Sequence, residues 1–531
     1  MRLVRVRVDR AQSCGGLLDG VDLVLPAHRS GIVAPICFVG RNGAGKSQLL
    51  QLIAEIFQAA WHQTRPKEER ETSNAESLFE LQYERSGEPN LIRLRRVRTG
   101  RRIGLIEMAK RDEEGEWIDV PSDAPEYANL LPPLIVGYTS GDNQTLSLPF
   151  FISRSGYAAD VRDAAWPNAR ERFGPGTDVL ENRLLMIDYA THLEVLVANL
   201  LLNGPEKRRA MLTHACLDDL ASFRCIIQLN HLGKSAPPGA PPHRKGIQLT
   251  DELEQTIDTL TRCATCWSYD PDREIYTFDY LVDDQLRRAF ATYYTDAQHL
   301  YRALHKFSLL NDIAIPKPSR DRLRREIETR RFAARLPEPQ DENKVFRFEQ
   351  IGLSRTVDGR SEILDYVSLS DGEHQFAQIL GIFLMIEDDG VVFLLDEPES
   401  HFNPVWRQRF TKLLSDLPGV RGSQDVLMTT HAPFVPCDLP REQVVIFSKD
   451  GGTLTLSPPK IETFGASFDR ILEACFDVDP PISKVAQDKL NELMLSDSEL
   501  EISQGLENFG PSVERSFLAD RLRKMRQNRS G

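Results

Sequence analysis

The chain of 531 residues contains no charge-free apolar run of about 18 residues, roughly the length a membrane-spanning helix needs. No membrane partner is therefore expected. A secretory leader is not expected either. Met1-Arg2-Leu3-Val4-Arg5-Val6-Arg7-Val8 alternates charge with apolar side chains, where a leader is continuously apolar. That alternation reads as a strand, and the expected compartment is the cytoplasm. Net positive charge is also lacking. A formal charge of −13 excludes indiscriminate nucleic-acid binding over the whole surface and leaves only local basic patches open. Paired cysteines are missing as well: the eight present are scattered, and reduced thiols are the expectation. Cys263-Ala264-Thr265-Cys266 is the one close pair, and no second pair or suitably spaced histidine follows to complete a zinc set.

What is present is ordinary in bulk and specific in detail. Hydrophobic content of 41% and charged content of 27% describe a globular protein, and the length exceeds a single typical core. Ile36-Cys37-Phe38-Val39 is a short apolar run that ends at Gly40-Arg41-Asn42-Gly43-Ala44-Gly45-Lys46-Ser47. Glycines 40, 43 and 45 let the backbone wrap a phosphate with its amides pointing inward. Lys46 supplies charge to the β and γ phosphates, and the Ser47 hydroxyl coordinates Mg²⁺. Asn42, Ala44 and Gln48 complete the expected cradle. Leu49, Leu50, Leu52, Ile53, Ile56 and Phe57 then keep helical spacing, so a helix should present its positive end to the nucleotide.

Three further segments say how a nucleotide would be used. Val391-Val392-Phe393-Leu394-Leu395 leads into Asp396-Glu397-Pro398. A carboxylate at that strand end can hold Mg²⁺, and Glu397 is the natural base or water-positioning group. Leu369-Ser370-Asp371-Gly372-Glu373 precedes a helical pattern. Ser370, Gly372 and Glu373 can grip a γ phosphate at the helix start, and Ser370 with Glu373 also reads as a capping box. His431, in Met428-Thr429-Thr430-His431, closes a strand and can sense the γ phosphate. Gln144, after the strand ending at Tyr138, is a candidate for reaching Mg²⁺ and the attacking water. Asn143 competes with it, and a polar turn would explain both.

The expected class is α/β, with a mixed sheet, an antiparallel β subdomain and a helical insert. Residues 1–150 carry the phosphate loop and antiparallel strands, with turn signals at Gly87-Glu88-Pro89-Asn90. Residues 151–344 read as a mainly helical, compact insert. Met186 to Leu202 is one helical candidate there, and Phe290 to Phe307 is one amphipathic face. A Pro/Gly-rich loop interrupts the insert at 233–242. Residues 345–465 resume the core, and 466–531 read as a helical extension with a polar, basic and disordered tail.

The motif set resembles the ABC-type ATPases. It is more similar to the soluble SMC-like and overcoming-lysogenisation-defect-like branch than to transporters, because Glu373 stands where transporters carry Gln. Gly137-Tyr138-Thr139-Ser140-Gly141-Asp142-Asn143-Gln144 and Thr430-His431-Ala432-Pro433-Phe434 look like prokaryotic anti-phage ATPases of the Septu or retron-associated type. The resemblance implies a two-lobed ATPase head that binds ATP and Mg²⁺ and dimerises head-to-head, with signature residues acting in trans. It also implies a separately encoded effector such as a nuclease. The segment Asp396 to Pro404 looks like the magnesium-binding stretch and the dimer-contacting loop that follows. One departure concerns the base: transporter-type domains stack adenine on an aromatic ahead of the phosphate loop, and no aromatic precedes Phe38.

No intrinsic nuclease is expected. Asp477-Val478-Asp479 has the Asp-x-Asp form of a Toprim site, yet the partner Glu after a strand is missing. Three basic clusters are candidate DNA contacts: Arg93 to Arg102, Lys317 to Arg331 and Arg521 to Arg529. Arg93 and Arg95 alternate with Ile92 and Leu94, which would put a charged row on one strand face. A clamp of the SMC or RecF kind, binding DNA directly, is the alternative reading.

Overall fold

The structure, a computed structural model, describes all residues except 27–33, 65–76, 86–90, 101, 141–143, 155, 166–178, 180–181, 189–190, 231–245, 317, 320–321, 323–324, 327–338, 419–422, 451–452 and 531. The chain divides into two compact units, Met1–Phe464 and Gly465–Gly531.

Within the first unit, the described strands form an α/β architecture of the expected class. A six-stranded antiparallel sheet runs in the order β2 (Asp22–Val24), β1 (Arg2–Arg10), β4 (Leu78–Glu84), β5 (Leu91–Arg96), β8 (Glu107–Arg111), β9 (Trp117–Val120). Its period-2 pattern buries Val6 and Val8, Phe79, Leu81 and Tyr83, and Ile92 and Leu94 on one face. A two-residue ribbon, β6 (Arg98–Thr99) with β7 (Arg102–Ile103), stands beside it in sequence.

The second sheet is the one that positions the site. Its order is β11 (Leu184–Ile187), β10 (Ile135–Thr139), β17 (Val392–Asp396), β18 (Asp425–Thr429), β3 (Ile36–Gly40), β19 (Val444–Asp450), β20 (Thr453–Ser457). Neighbours are parallel from β11 to β19, and β20 closes the edge antiparallel. The central strands β10, β17, β18 and β3 are buried throughout, as near-continuous apolar runs between covering layers require. The helix Lys46–Thr64 shares one core with both sheets through Leu49, Leu50, Ile53, Phe57 and Trp61. Each of these large side chains contributes up to about 1.5–3 kcal/mol by burial, so the phosphate-loop helix is held from several sides.

A third sheet, antiparallel, runs β13 (Cys266–Asp270), β14 (Ile275–Leu281), β12 (Asp219–Gln228), β15 (Phe346–Val357), β16 (Arg360–Asp365). It adds strands to the mainly helical insert expected over residues 151–344. Residues 151–344 do contain helices, including His192–Leu202, Pro205–Leu212, Asp251–Cys263, Asp284–Tyr293 and Ala297–Leu309. They also supply β11 to the second sheet and three strands to the third, of which β12 pairs with β15 of the resumed core. The apolar run expected as helix from Met186 begins as β11, because four buried apolar residues satisfy strand and helix periods equally. The face from Phe290 to Phe307 is broken at Tyr294–Asp296, where Asp296 caps a new helix by accepting from His299 N. The loop at 233–242 and the turn at 87–90 lie outside the described residues, the former entirely and the latter in all four positions. Cys263 is buried at a helix end, while Cys266 is exposed on β13.

The second unit consists of the helices Phe468–Phe476, Lys484–Leu495, Glu499–Asn508 and Val513–Ser530. The expected disordered tail is helical. Its polar composition hides a narrow stripe, Leu518 and Leu522, that packs with Leu490, Leu493 and Ile502.

One backbone position tests this packing. Gly40 has φ +130, and an added Cβ would stand 2.3 Å from the Phe447 carbonyl oxygen of β19. Both the dihedral and the close approach require glycine. Gly40→Ala should cost about 4 kcal/mol, read as a lowered urea midpoint. A wild-type midpoint would show that β19 is free to move aside.

Candidate nucleotide site

The parallel register brings four strand ends level: Thr139 lies opposite Asp396, Asp396 opposite Thr429, and Thr429 opposite Phe38. In open α/β sheets ligands gather outside these carboxyl ends. The phosphate loop leaves β3 there. Arg41, Asn42 and Gly43 are exposed, whereas Ala44, Gly45 and Lys46 are buried, so the loop offers one open face. Lys46 Nζ donates to Gly40 O at 3.0 Å and to Arg41 O at 3.2 Å. Burial holds its ammonium below the usual lysine range, against the pull of the Glu397 and Asp396 charges. A buried cation short of solvent is stabilised by an incoming phosphate. Gln48 lies half-buried in the first helical turn, where its carbonyl oxygen accepts from the Cys14 thiol at 3.5 Å.

Asp396 is 3% exposed, and one oxygen, Oδ1, accepts from Ser47 Oγ at 2.9 Å and from Thr429 Oγ1 at 2.6 Å. The phosphate-loop strand and the acidic strand are not neighbours; β18 stands between them, and Thr429 fills the gap. A serine hydroxyl and a carboxylate in contact form an all-oxygen donor set, which suits Mg²⁺. Ser47 and Asp396 are the residues that would hold the ion, and bound there it would neutralise phosphate charge.

Glu397 has φ +50, in the left-handed region that a non-glycine residue enters at a cost of about 1–3 kcal/mol. Its amide donates to Thr429 Oγ1 at 3.0 Å, and its half-buried carboxylate lies 3.2 Å from His431 Nε2. The His431 hydrogen bond, with the positive charge of Lys46 adding to it, holds Glu397 below the ordinary carboxylate range. It is therefore ionised and able to take a hydrogen bond from water near neutral pH. Ser47, Asp396, Glu397, His431 and Lys46 thus form one cluster from three segments.

Ser370 is elsewhere. It caps the helix Asp371–Met385 with its side chain accepting from Glu373 N, while Glu373 reaches back to Ser370 N at 2.8 Å. The capping box exists in full. Ser370 and Asp371 are also exposed, so the helix start faces outward. Gly372 is required by a close approach: an added Cβ would meet the His401 carbonyl at 2.9 Å. Gln375, one turn on, accepts from His401 N at 3.0 Å, and the His401 ring contacts Ser140 O at 3.1 Å. Gln144 begins the helix Gln144–Arg154, which follows β10 on the carboxyl side of the sheet; Gly141, Asp142 and Asn143 lie outside the described residues. Sequence reading passed over Thr429, Glu399, Gln375 and the His401 contacts. The adjacent hydroxyls in Thr429-Thr430-His431 were the available signal.

In the basic row on β5, Arg95 lies opposite acidic residues on both neighbouring strands. Across the sheet the register runs Asp22, Arg7, Glu80, Arg95, Glu107, and Arg93 covers the Trp117 ring at 4.3 Å. Alternating charge describes a solvated face. In the terminal helix, Arg523 and Lys524 share Asp520, and Arg526 pairs with Glu499. Much of the 317–331 cluster lies outside the described residues.

Residues 261–438 match a family model described as an AAA domain, putative AbiEii toxin, type IV toxin–antitoxin system. The match takes in Ser370, Asp396, Glu397 and His431, and the geometry joins the phosphate loop to the last three. The matched segment, about a third of the chain, is similar to an AAA domain. Three solved structures are similar to the chain. They are an SMC head bound to the C-winged helix domain of ScpA (11% identity, 86% of this chain and 98% of that one, TM-score 0.35), the SMC head domain from Thermotoga maritima (12%, 87% and 100%, 0.31), and an Smc head with a coiled coil and joint derived from Pyrococcus yayanosii (12%, 89% and 98%, 0.33). No curated protein matches it. Among the described residues, no helix is long and apolar enough to cross a membrane.

Proposed function

We propose that the chain is a Mg²⁺-dependent ATP-hydrolysing switch. Lys46 and its loop hold the phosphates, Ser47 and Asp396 hold the metal, Glu397 directs water and His431 senses the γ phosphate. Gln144, at the start of the helix after β10, is the residue proposed to reach the metal and the attacking water. The observation that carries this reading is the five-residue cluster around Asp396, in which every member has the chemistry hydrolysis needs. Ser370, Gly372 and Glu373 serve a second copy, because their helix start is capped and presented to solvent.

The output is a change of assembly, passed to a separately encoded effector, for which a nuclease is our choice. The toxin–antitoxin wording of the matching family supports a prokaryotic anti-phage or restriction-associated role in the cytoplasm. Direct DNA binding is the weaker reading, since the row that crosses the sheet at Arg95 alternates in charge. Light scattering of the protein with Mg²⁺ and a non-hydrolysable ATP analogue should give twice the mass found without nucleotide. A mass unchanged at saturation overturns the dimer.

A further inference from the structure

Glu399 has no part in the cluster described so far. It lies on the turn leaving β17, two residues past Glu397, and is 2% exposed. Its Oε1 accepts the Thr430 hydroxyl, while its Oε2 has no hydrogen-bond partner among the described residues. Thr430 is pinned in turn: its amide donates to Phe38 O at 3.1 Å, and its hydroxyl accepts from Ala432 N at 2.9 Å. On the other side Arg407 holds the backbone of the same turn, donating to Glu399 O at 3.2 Å and to Ser400 O at 2.5 Å. A buried side-chain bond therefore ties the turn bearing Glu397 to the residue preceding His431.

We propose that Glu399 is a positioning residue that clamps these two turns and so sets the separation of Glu397 from His431. The inference rests on the reading of Glu397 and His431 as groups acting on the γ phosphate. A carboxyl with one bonded oxygen and one bare oxygen is best accommodated in its neutral form. Burial, with the neighbouring Glu397 charge adding to it, pushes Glu399 up to about 7, while the Thr430 bond and Arg407 pull the other way. The Tyr138 hydroxyl is the remaining ionisable group whose charge couples to it. Because the folded value lies above the ordinary one, this residue's contribution to stability is greatest in acid. It declines as pH rises from about 4.5 to about 7. Above that range an ionised Glu399 would repel Glu397 and loosen the clamp.

Steady-state ATPase assays of the full chain from about pH 6 to about pH 9 test this. Glu399→Gln, which mimics the neutral carboxyl, should keep kcat within about twofold at the acid end and lose the alkaline decline of the wild type. Thr430→Val should lower kcat about tenfold at unchanged KM, and Thr430→Ser should restore it. A merely structural role would move melting temperature without this split. If the wild type turns over, a Glu399→Gln profile superimposed on it, together with wild-type kcat in Thr430→Val, overturns the clamp alone. A wild type without turnover overturns the ATPase reading and the clamp with it.

Discussion

Replacing Glu397 by Gln should slow ATP hydrolysis by about 10²–10⁴-fold while nucleotide binding persists. The carboxylate is ionised because His431 lies 3.2 Å away, with Lys46 adding its charge. An amide of the same shape cannot accept a proton from the attacking water. Lys46, Ser47 and Asp396, which hold phosphate and metal in the proposed mechanism, keep their bonds. ATP should then remain between two copies, and dimers should accumulate on a sizing column with saturating Mg-ATP. A monomeric Glu397→Gln protein under those conditions removes the shared-interface mechanism.

The second large effect comes from mixing two inactive proteins. Lys46→Ala removes the cation of the phosphate loop, and charge-assisted hydrogen bonds of about 1.5–3 kcal/mol each are lost with it. Ser370→Arg leaves that loop intact and blocks the outward helix start. Each homodimer should be nearly inactive. In an equimolar mixture, half of the dimers are heterodimers with one intact composite site, so about a quarter of wild-type turnover should return. Activity that stays at the level of the separate proteins would show that Ser370 does not act on a neighbour's nucleotide.

How much of this could be read in advance differs from element to element. The phosphate loop, its helix and the apolar strand before it are contiguous, and their glycine, lysine and apolar spacing announced them. The capping box at Ser370 was equally local. The strand β11 was not legible, since Leu184–Ile187 fits a buried helix as well as a buried strand. The terminal helix was masked by its charge. Arg95 looked like part of a basic row because its opposing acids, Glu80 and Glu107, belong to other strands.

Residue order alone determined the local form of each segment here: a glycine-rich loop at Gly40–Ser47, an acidic strand end at Asp396-Glu397, a capped helix start at Ser370 and a histidine closing a strand. Tertiary structure decided which of them meet. β18 enters between the phosphate-loop strand and the acidic strand, so Thr429 shares Asp396 Oδ1 with Ser47, and His431 reaches Glu397. The physical reason lies in range. Turn, cap and periodicity are set by neighbours along the chain, whereas strand order is settled by burying both faces of a sheet at once, a condition to which every segment contributes.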